Sequence, residues 1–345
     1  MKPARTMAAI GRIAGLVASL AAGSAAAKAQ GASEPLAAPG PAEQATWTFV
    51  WENDYFAGTD RNYTNGVRLS YLSGGKTPQG LSQWVAQNVF GADDPTRIRR
   101  GFAIGHSIFT PRDTEVATPL PDQHPYAGWL YGEYLVVVEQ NNLIDQITVQ
   151  AGVVGPSAGA EFVQNNWHDL IDDDPVNGWD NQLDDEFGLV LSYERKWRRE
   201  KPVGTAVNVD VMPSVGASLG NVFTDARAGL TVRVGTNLQD DYGPPRVRPS
   251  LAGGSYFTPS RSFGWYVFAG AEARVVAHNI FLDGSLFRSD DPSVRSRTLV
   301  GDFQAGLAVQ LGDVQLAYTY VVRTKEFDTQ QGTQQFGAIS LSAKF

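Results

Sequence analysis

The chain has 345 residues, 28 basic and 36 acidic side chains, a formal charge of −8 and no cysteine. The acidic balance argues against nucleic acid as a partner. The lack of cysteine excludes thiol chemistry and thiolate metal sites, and it fits an exported protein that does not rely on disulfides.

Lys2, Arg5 and Arg12 give a basic start, Ile13 to Ala27 is small and apolar, and Ala27-Lys28-Ala29 is a credible cleavage site. That order predicts a secretory signal peptide over residues 1–29, with a retained anchor helix as the alternative. Those residues carry Lys2, Arg5, Arg12 and Lys28 and no acid, so 24 basic then face 36 acidic side chains, a charge of −12. Residues 30–45, rich in Ala, Pro, Gly and Ser, predict a flexible leader. Residues 46–345 are expected to form one β domain.

Strands are expected near 46–56, 63–73, 100–109, 129–140, 144–154, 186–198, 203–216, 222–235, 263–275, 298–311, 314–325 and 334–345. Their signal is period two: Val314, Leu316, Tyr318, Tyr320 and Val322 alternate with Gln315, Ala317 and Thr319, and Val207, Val209 and Val211 with Asn208 and Asp210. Three features favour a bilayer over water as the solvent of the apolar face. The strands are about ten residues or longer, as a tilted membrane strand needs. Trp47, Trp51, Trp129, Tyr131, Trp265 and Tyr266 lie near strand ends, where a membrane interface wants them. The last strand puts Ile339, Leu341, Ala343 and Phe345 on one face, like the terminal signal of outer-membrane proteins. The fold expected is all-β: a 12-stranded antiparallel transmembrane β-barrel with a short helix in an external loop. A soluble β protein is the alternative.

The short connections Gln140-Asn141-Asn142-Leu143 and Leu311-Gly312-Asp313 are taken as periplasmic turns. By parity the external segments become 57–62, 110–128, 155–185, 217–221, 276–297 and 326–333. Segment 74–99 is then periplasmic, and its Leu81, Trp84, Val85 and Val89 predict a short capping helix. Residues 236–262, broken by Pro244, Pro245 and Pro249, read as no simple strand.

This map gathers chemistry on one rim. Asn53-Asp54 ends the first strand and Thr64 starts the second, around the polar tip Thr59-Asp60-Arg61-Asn62. These oxygens suit a hard cation, calcium, although Asn-Asp before a turn is commonly turn chemistry alone. Residues 160–171 predict a helix whose apolar side carries Phe162, Val163, Trp167, Leu170 and Ile171, while Gln164 and His168 share another face. That face is expected against the barrel wall near Asp54 and Thr64. The chain has four histidines, His106, His124, His168 and His278, and His168 has an amide one turn before it and acids just after. A histidine there can be a general base or a hydrogen-bonded structural residue. Asp172-Asp173-Asp174 reads as a loop, with Asp174 as a partner for the imidazole or the metal; its spacing is not that of an EF-hand.

Gly-x-Ser-x-Gly around Ser157 and Ser218 is read as chance, because no α/β sheet supports a nucleophile elbow. The run Arg195 to Lys201 is read as a solvated periplasmic turn.

Asn53-Asp54, Asp60-Arg61, Tyr63-Thr64, Gly66, Ile108-Phe109-Thr110-Pro111, Pro125-Tyr126-Ala127-Gly128, Val154-Gly155-Pro156, Ala158-Gly159, Gln164, His168, Gly178-Trp179 and Gln182 together resemble the outer-membrane lipid A 3′-O-deacylase family. The resemblance covers roughly residues 46 to 195; the second half matches in barrel pattern and final strand. It implies a twelve-stranded barrel bearing a calcium-dependent esterase that removes the 3′-linked acyloxyacyl chain of lipid A in lipopolysaccharide of the outer leaflet. It assigns His168 as the base that activates water, Asn53, Asp54, Thr64 and Gln164 to the calcium and oxyanion region, and Asp174 to a place where the family can carry Glu. A family lysine after the Thr-Pro step has Arg112 as its nearest counterpart. Two other classes compete: a non-enzymatic barrel, either a narrow pore or a structural protein, and an outer-membrane phospholipase.

Overall fold

The computed structural model describes residues 44–57, 62–76, 79–91, 96–140, 142–171, 176–203, 207–245, 257–258 and 262–345. The expected signal peptide and most of the expected leader lie outside them. The strands are β1 Thr46–Asn53, β2 Asn62–Leu72, β3 Thr96–Thr110, β4 Ala127–Gln140, β5 Leu143–Val154, β6 Glu186–Trp197, β7 Arg199–Val203, β8 Val207–Gly220, β9 Phe223–Gly235, β10 Phe263–Asn279, β11 Leu299–Leu311, β12 Val314–Arg323 and β13 Gln334–Lys344. Each pairs antiparallel with its sequence neighbour, except that β6 reaches past β7 to β8 and β1 pairs with β13, Thr46 opposite Lys344. The sheet therefore closes. β6 and β7 meet β8 in one uninterrupted register, Lys196 opposite Ser214 and Arg199 opposite Val211, so they form one stave broken at Arg198. The barrel has twelve staves, as expected.

Alternation along the staves is inverted relative to a water-soluble protein. On β6, Phe187, Leu189 and Leu191 are exposed and Val190 and Ser192 are buried; on β11, Leu299 is 66% and Phe303 56% exposed while Asp302 and Gln304 are buried. Large apolar side chains standing outward in a closed sheet have hydrocarbon as their solvent, and closure leaves no unpaired backbone edge in it. The chain is an outer-membrane barrel. Trp47 joins the outward belt as expected, whereas Trp129, Tyr131 and Tyr266 are buried on the lumen face. Proximity to a strand end did not fix which way a ring points; strand parity did.

The lumen is packed with ion pairs. Arg68 meets Glu133, which also accepts from Gln150 at 3.1 Å. Arg323 and Arg274 share Asp302, with Arg323 Nη2 at 2.7 Å and Arg274 Nη2 at 2.9 Å. Arg227 holds Asp225 and Ser218, each at 2.9 Å. Thr236 to Pro245, which read as no simple strand, turns back into the periplasmic mouth. Leu238 packs on the lumen-facing Tyr266, Phe268, Ala308 and Ala317, Asp241 pairs with Arg233, and Arg198 stacks over Tyr242 at 4.5 Å.

Two expectations for the periplasmic end are corrected. The run Arg195–Lys201 lies in the stave: Arg195, Lys196 and Arg198 are buried, and Arg195 binds Asp145 at 2.6 Å. Arg195 meets buried Asp145, Lys196 pairs with Glu194 and Arg198 donates to the carbonyls of Gln239 and Asp241, so the run was not a solvated turn. The helix Leu81–Asn88 forms but does not cap the mouth. Its Ala86, with Val85, Val89 and Phe90, packs on Ile98, Val138, Ile147 and Tyr193. Those residues share parity with exposed Phe102, Tyr134, Val149 and Leu191, so this helix lies on the outer face of the wall.

At the other end lie the segments 54–57, 111–126, 155–171, 176–185, 221–222, 280–298 and 324–333, and several of them bind one another. Asn181 Nδ2 donates to Ala117 O at 2.9 Å, Thr329 Oγ1 to Asp122 O at 2.7 Å, and Arg288 to the carbonyls of Asp184 and Asp185 at 3.2 and 3.3 Å. This tied rim is the outer one, by the rule that external connections are the long ones.

Candidate functional site

The helix Ala160–Ile171 forms as expected and sits at this rim, outside the wall. Two contacts fix its place. Gly128 is on the outward face of β4, with Gly132 and Tyr134, and a Cβ there would lie 2.7 Å from Ala160 Cβ and 2.9 Å from Ala158 Cβ. At the other end Trp167 meets Trp51 edge to face at 5.7 Å, and Trp51 shares the outward face of β1 with Trp47 and Phe49. Between them His106 of β3 donates a ring N–H to Ala158 O at 3.0 Å, and Ile108 packs with Ala160, Tyr126, Val176 and Trp179. The helix therefore crosses the upper ends of β4, β3 and β1 tangentially. Gly128→Val would overpack this seam at about 1–3 kcal/mol. Protease cleavage within 155–185 should rise roughly tenfold on that scale, with the barrel still resistant; unchanged cleavage would show the seam to be loose.

Beneath the helix, the wall presents polar groups on its outward side. Asn53 and Asn65 are opposite one another in register. Asn65 Oδ1 accepts from Trp51 Nε1 at 2.9 Å and from Asn53 Nδ2 at 3.2 Å, which directs the amide oxygen of Asn53 away from Asn65. The β2–β3 register slips between Tyr63 and Asn65. This bulge lets Tyr63 point inward to Glu52, 2.9 Å away, while Thr64 meets the outward Thr110, Oγ1 to Oγ1 at 2.7 Å. Asp54 opens the 3-10 turn Asp54–Ala57 that follows β1. Asn53, Asp54 and Thr64 are all buried.

The helix turns its polar face to this wall. Ala160, Gln164 and His168, spaced four apart, are buried, while Phe162, Val163 and Trp167 are exposed. Trp179, on the returning segment, donates its indole N–H to Gln164 Oε1 at 3.2 Å. An indole can only donate, so the amide is oriented and its Nε2 points the other way. That nitrogen is buried with no hydrogen-bond partner among the described residues. The other three histidines have structural work: His106 on Ala158 O, His124 on Pro125 O at 2.7 Å, and His278 on Asn221 O at 2.8 Å.

Both serine matches are structural. Ser157 donates to Asp185 at 2.6 Å, and Ser218 bonds Ser192 and Arg227 in the lumen. Arg112 stands exposed beyond Thr110-Pro111, paired with Asp113 at 2.9 Å. The hydrogen bonds of Asp113 to Arg112 and Gln123 hold its carboxyl below the usual range. Asp174, with Asp172 and Asp173, and the tip Thr59-Asp60-Arg61 lie outside the described residues.

No three His, Asp or Glu side chains cluster as metal ligands among the described residues. The expected calcium donors are of another kind: one carboxylate, one amide and one hydroxyl, all offering oxygen and all buried, with Asn53 and Thr64 on the outward side of the wall and Asp54 in the turn that follows β1. In donor type they fit a hard dication. Reading residues singly left Thr110, Asn65 and Trp179 without roles. Thr110 and Trp179 stood in recognisable motifs, but their partners are 46 and 15 residues away.

A family profile described as outer membrane protein LpxR matches residues 15–345. Among solved structures, LpxR from Salmonella typhimurium matches with a TM-score of 0.71 at 22% identity, over 87% of this chain and 100% of that one. The β domain of the Bordetella autotransporter BrkA gives 0.43 at 9% identity, over 88% and 99%. The translocator domain of the autotransporter NalP from Neisseria meningitidis gives 0.35 at 10%, over 90% and 91%. No curated protein matches the chain.

Proposed function

The chain belongs to the family of outer membrane protein LpxR, and on that footing we propose that it is a calcium-dependent esterase hydrolysing the 3′-linked acyloxyacyl chain of lipid A. The observation that carries this reading is the seam itself. A buried histidine and an amide donor with no hydrogen-bond partner among the described residues lie on the helix face that meets the outer side of the wall.

In this reading His168 takes a proton from a water molecule as the water oxygen attacks the ester carbonyl carbon. Gln164 Nε2 donates to the carbonyl oxygen as negative charge gathers there, with its amide held in place by Trp179. The bond from the acyl carbon to the sugar 3′-oxygen then breaks, the imidazolium returns its proton to that oxygen, and a fatty acid and a free hydroxyl leave. Asn53, Asp54 and Thr64 would hold calcium, which when bound supplies positive charge beside the same oxyanion. Asp174 is assigned to the imidazole or the metal shell.

The test is acyl release from purified lipid A by the whole protein in detergent, with glycerophospholipid as the second substrate. Release from lipid A alone, falling at least tenfold with chelator and restored by calcium, supports the reading. Release from glycerophospholipid alone would make the protein a phospholipase. No release from either would reject the reading, and release from lipid A that is unchanged in Asp54→Asn would reject the site. Gln164→Leu should lower kcat about 100-fold with KM little changed, because its donor is needed only as charge develops. A pore is disfavoured by the ion pairs that fill the lumen.

A further inference from the structure

Because a helix advances about 100° per residue, the rim helix has three sectors. Ala160, Gln164 and His168 face the wall. Glu161 and Asp169, both exposed, stand on one flank, and Val163 and Trp167 on the other. Phe162, 73% exposed, points away from the barrel. The partly exposed flank is thus apolar on one side and acidic on the other, and which side faces down can be read from the structure. Trp167 meets Trp51. β1 climbs from Thr46 to Asn53 at the rim, so Trp51 lies below Asn53, towards the bilayer centre. The apolar flank is therefore the lower one.

Directly beneath it the outward faces of β1, β2 and β3 carry Phe49, Leu69, Phe102 and Ile104, all exposed. Between this belt and the flank stand Trp51 on β1 and Val67 on β2, both partly exposed, and on β3 His106, whose ring is tied to Ala158 O of the helix approach. We propose that Val163 and Trp167 are immersed in the acyl-chain layer of the outer leaflet, so that the helix lies in the membrane interface with Glu161 and Asp169 in water. The occupant of this surface is lipid hydrocarbon. A helix with its polar face on the protein and its apolar flank outward would be unfavourable in water and is favoured at a bilayer surface. The seam holding His168 and Gln164 then opens into the leaflet from the side.

The chain contains no cysteine, so single cysteines can carry nitroxide labels without removing native ones. Val163→Cys, Trp167→Cys, Asp169→Cys and a belt control, Leu189→Cys, would be labelled in the full barrel in phosphatidylcholine vesicles. Collisions with oxygen and with a water-soluble nickel chelate on both sides report depth. At positions 163, 167 and 189 oxygen is expected to exceed the chelate, and at 169 the ratio should reverse. Equal chelate access at 163 and 169, with 189 still protected, would overturn the proposal. Heat-modifiable migration of each labelled variant identifies one that failed to insert, and position 167 supplies the second reading: chelate access at 167 equal to that at 169 overturns the proposal as well. No turnover is measured, so this test stands or falls apart from the esterase.

Discussion

His168→Ala is expected to lower kcat for acyl release by about 10²–10⁴-fold, the usual contribution of a positioned general base. His168 is buried on the helix face that meets the wall, four residues beyond Gln164. Its three fellow histidines cannot substitute, since each holds a backbone carbonyl elsewhere. The helix should survive the change, because its seat rests on Ala160 against β4 and Trp167 against Trp51. KM and the heat-modifiable migration of the barrel should therefore hold while kcat falls. His168→Gln, which keeps a polar side chain but removes the base, should fall equally far. If His168→Ala retained parental kcat under saturating calcium, another group would have to activate water.

Arg233→Ala is expected to destabilise the barrel by about 3–5 kcal/mol, the cost of leaving buried charge without its partner. Arg233 is fully buried. Its Nη2 lies 2.5 Å from Asp210 and 2.6 Å from Leu238 O, its Nη1 binds Asp241, and its guanidinium covers the Tyr266 ring at 4.8 Å. One side chain thus ties β8, β9 and β10 to the segment folded into the periplasmic mouth. Removing it strands the carboxylates of Asp210 and Asp241 where water is scarce. The urea midpoint in detergent should drop and pairing of the mouth segment should be lost first. Arg295→Ala is the control: that residue is 89% exposed, and its pair with Asp328 at 3.3 Å is screened by water. Its midpoint should not move. Equal midpoints for the two variants would show the Arg233 network to be incidental.

The barrel was legible in the sequence, because strand periodicity is a local property. Leu316 and Tyr318 against Gln315 and Thr319 declare two faces within a few residues, and length and aromatic content name the solvent of one of them. The pairing of Gln164 and His168 was legible for the same reason, since four residues make one helical turn. Aromatic direction near strand ends was not. Trp129 and Trp47 look alike in sequence, and parity sends one into the lumen and the other into lipid. The basic run 195–201 misled because its carboxylates, Asp145 above all, arrive from a different strand.

By itself the sequence determined the closed β architecture, its outer and periplasmic ends, and the residue types able to hold a hard cation and move a proton. Only the tertiary structure decided that the helix lies outside the wall, polar face inward, and that Gln164 keeps a buried donor without a partner among the described residues. It also decided that Thr64 meets Thr110 across a bulge. The physical reason is the range of the forces involved. Periodicity and propensity act over one or two turns of chain, whereas burial and hydrogen-bond satisfaction depend on groups that closure alone brings together.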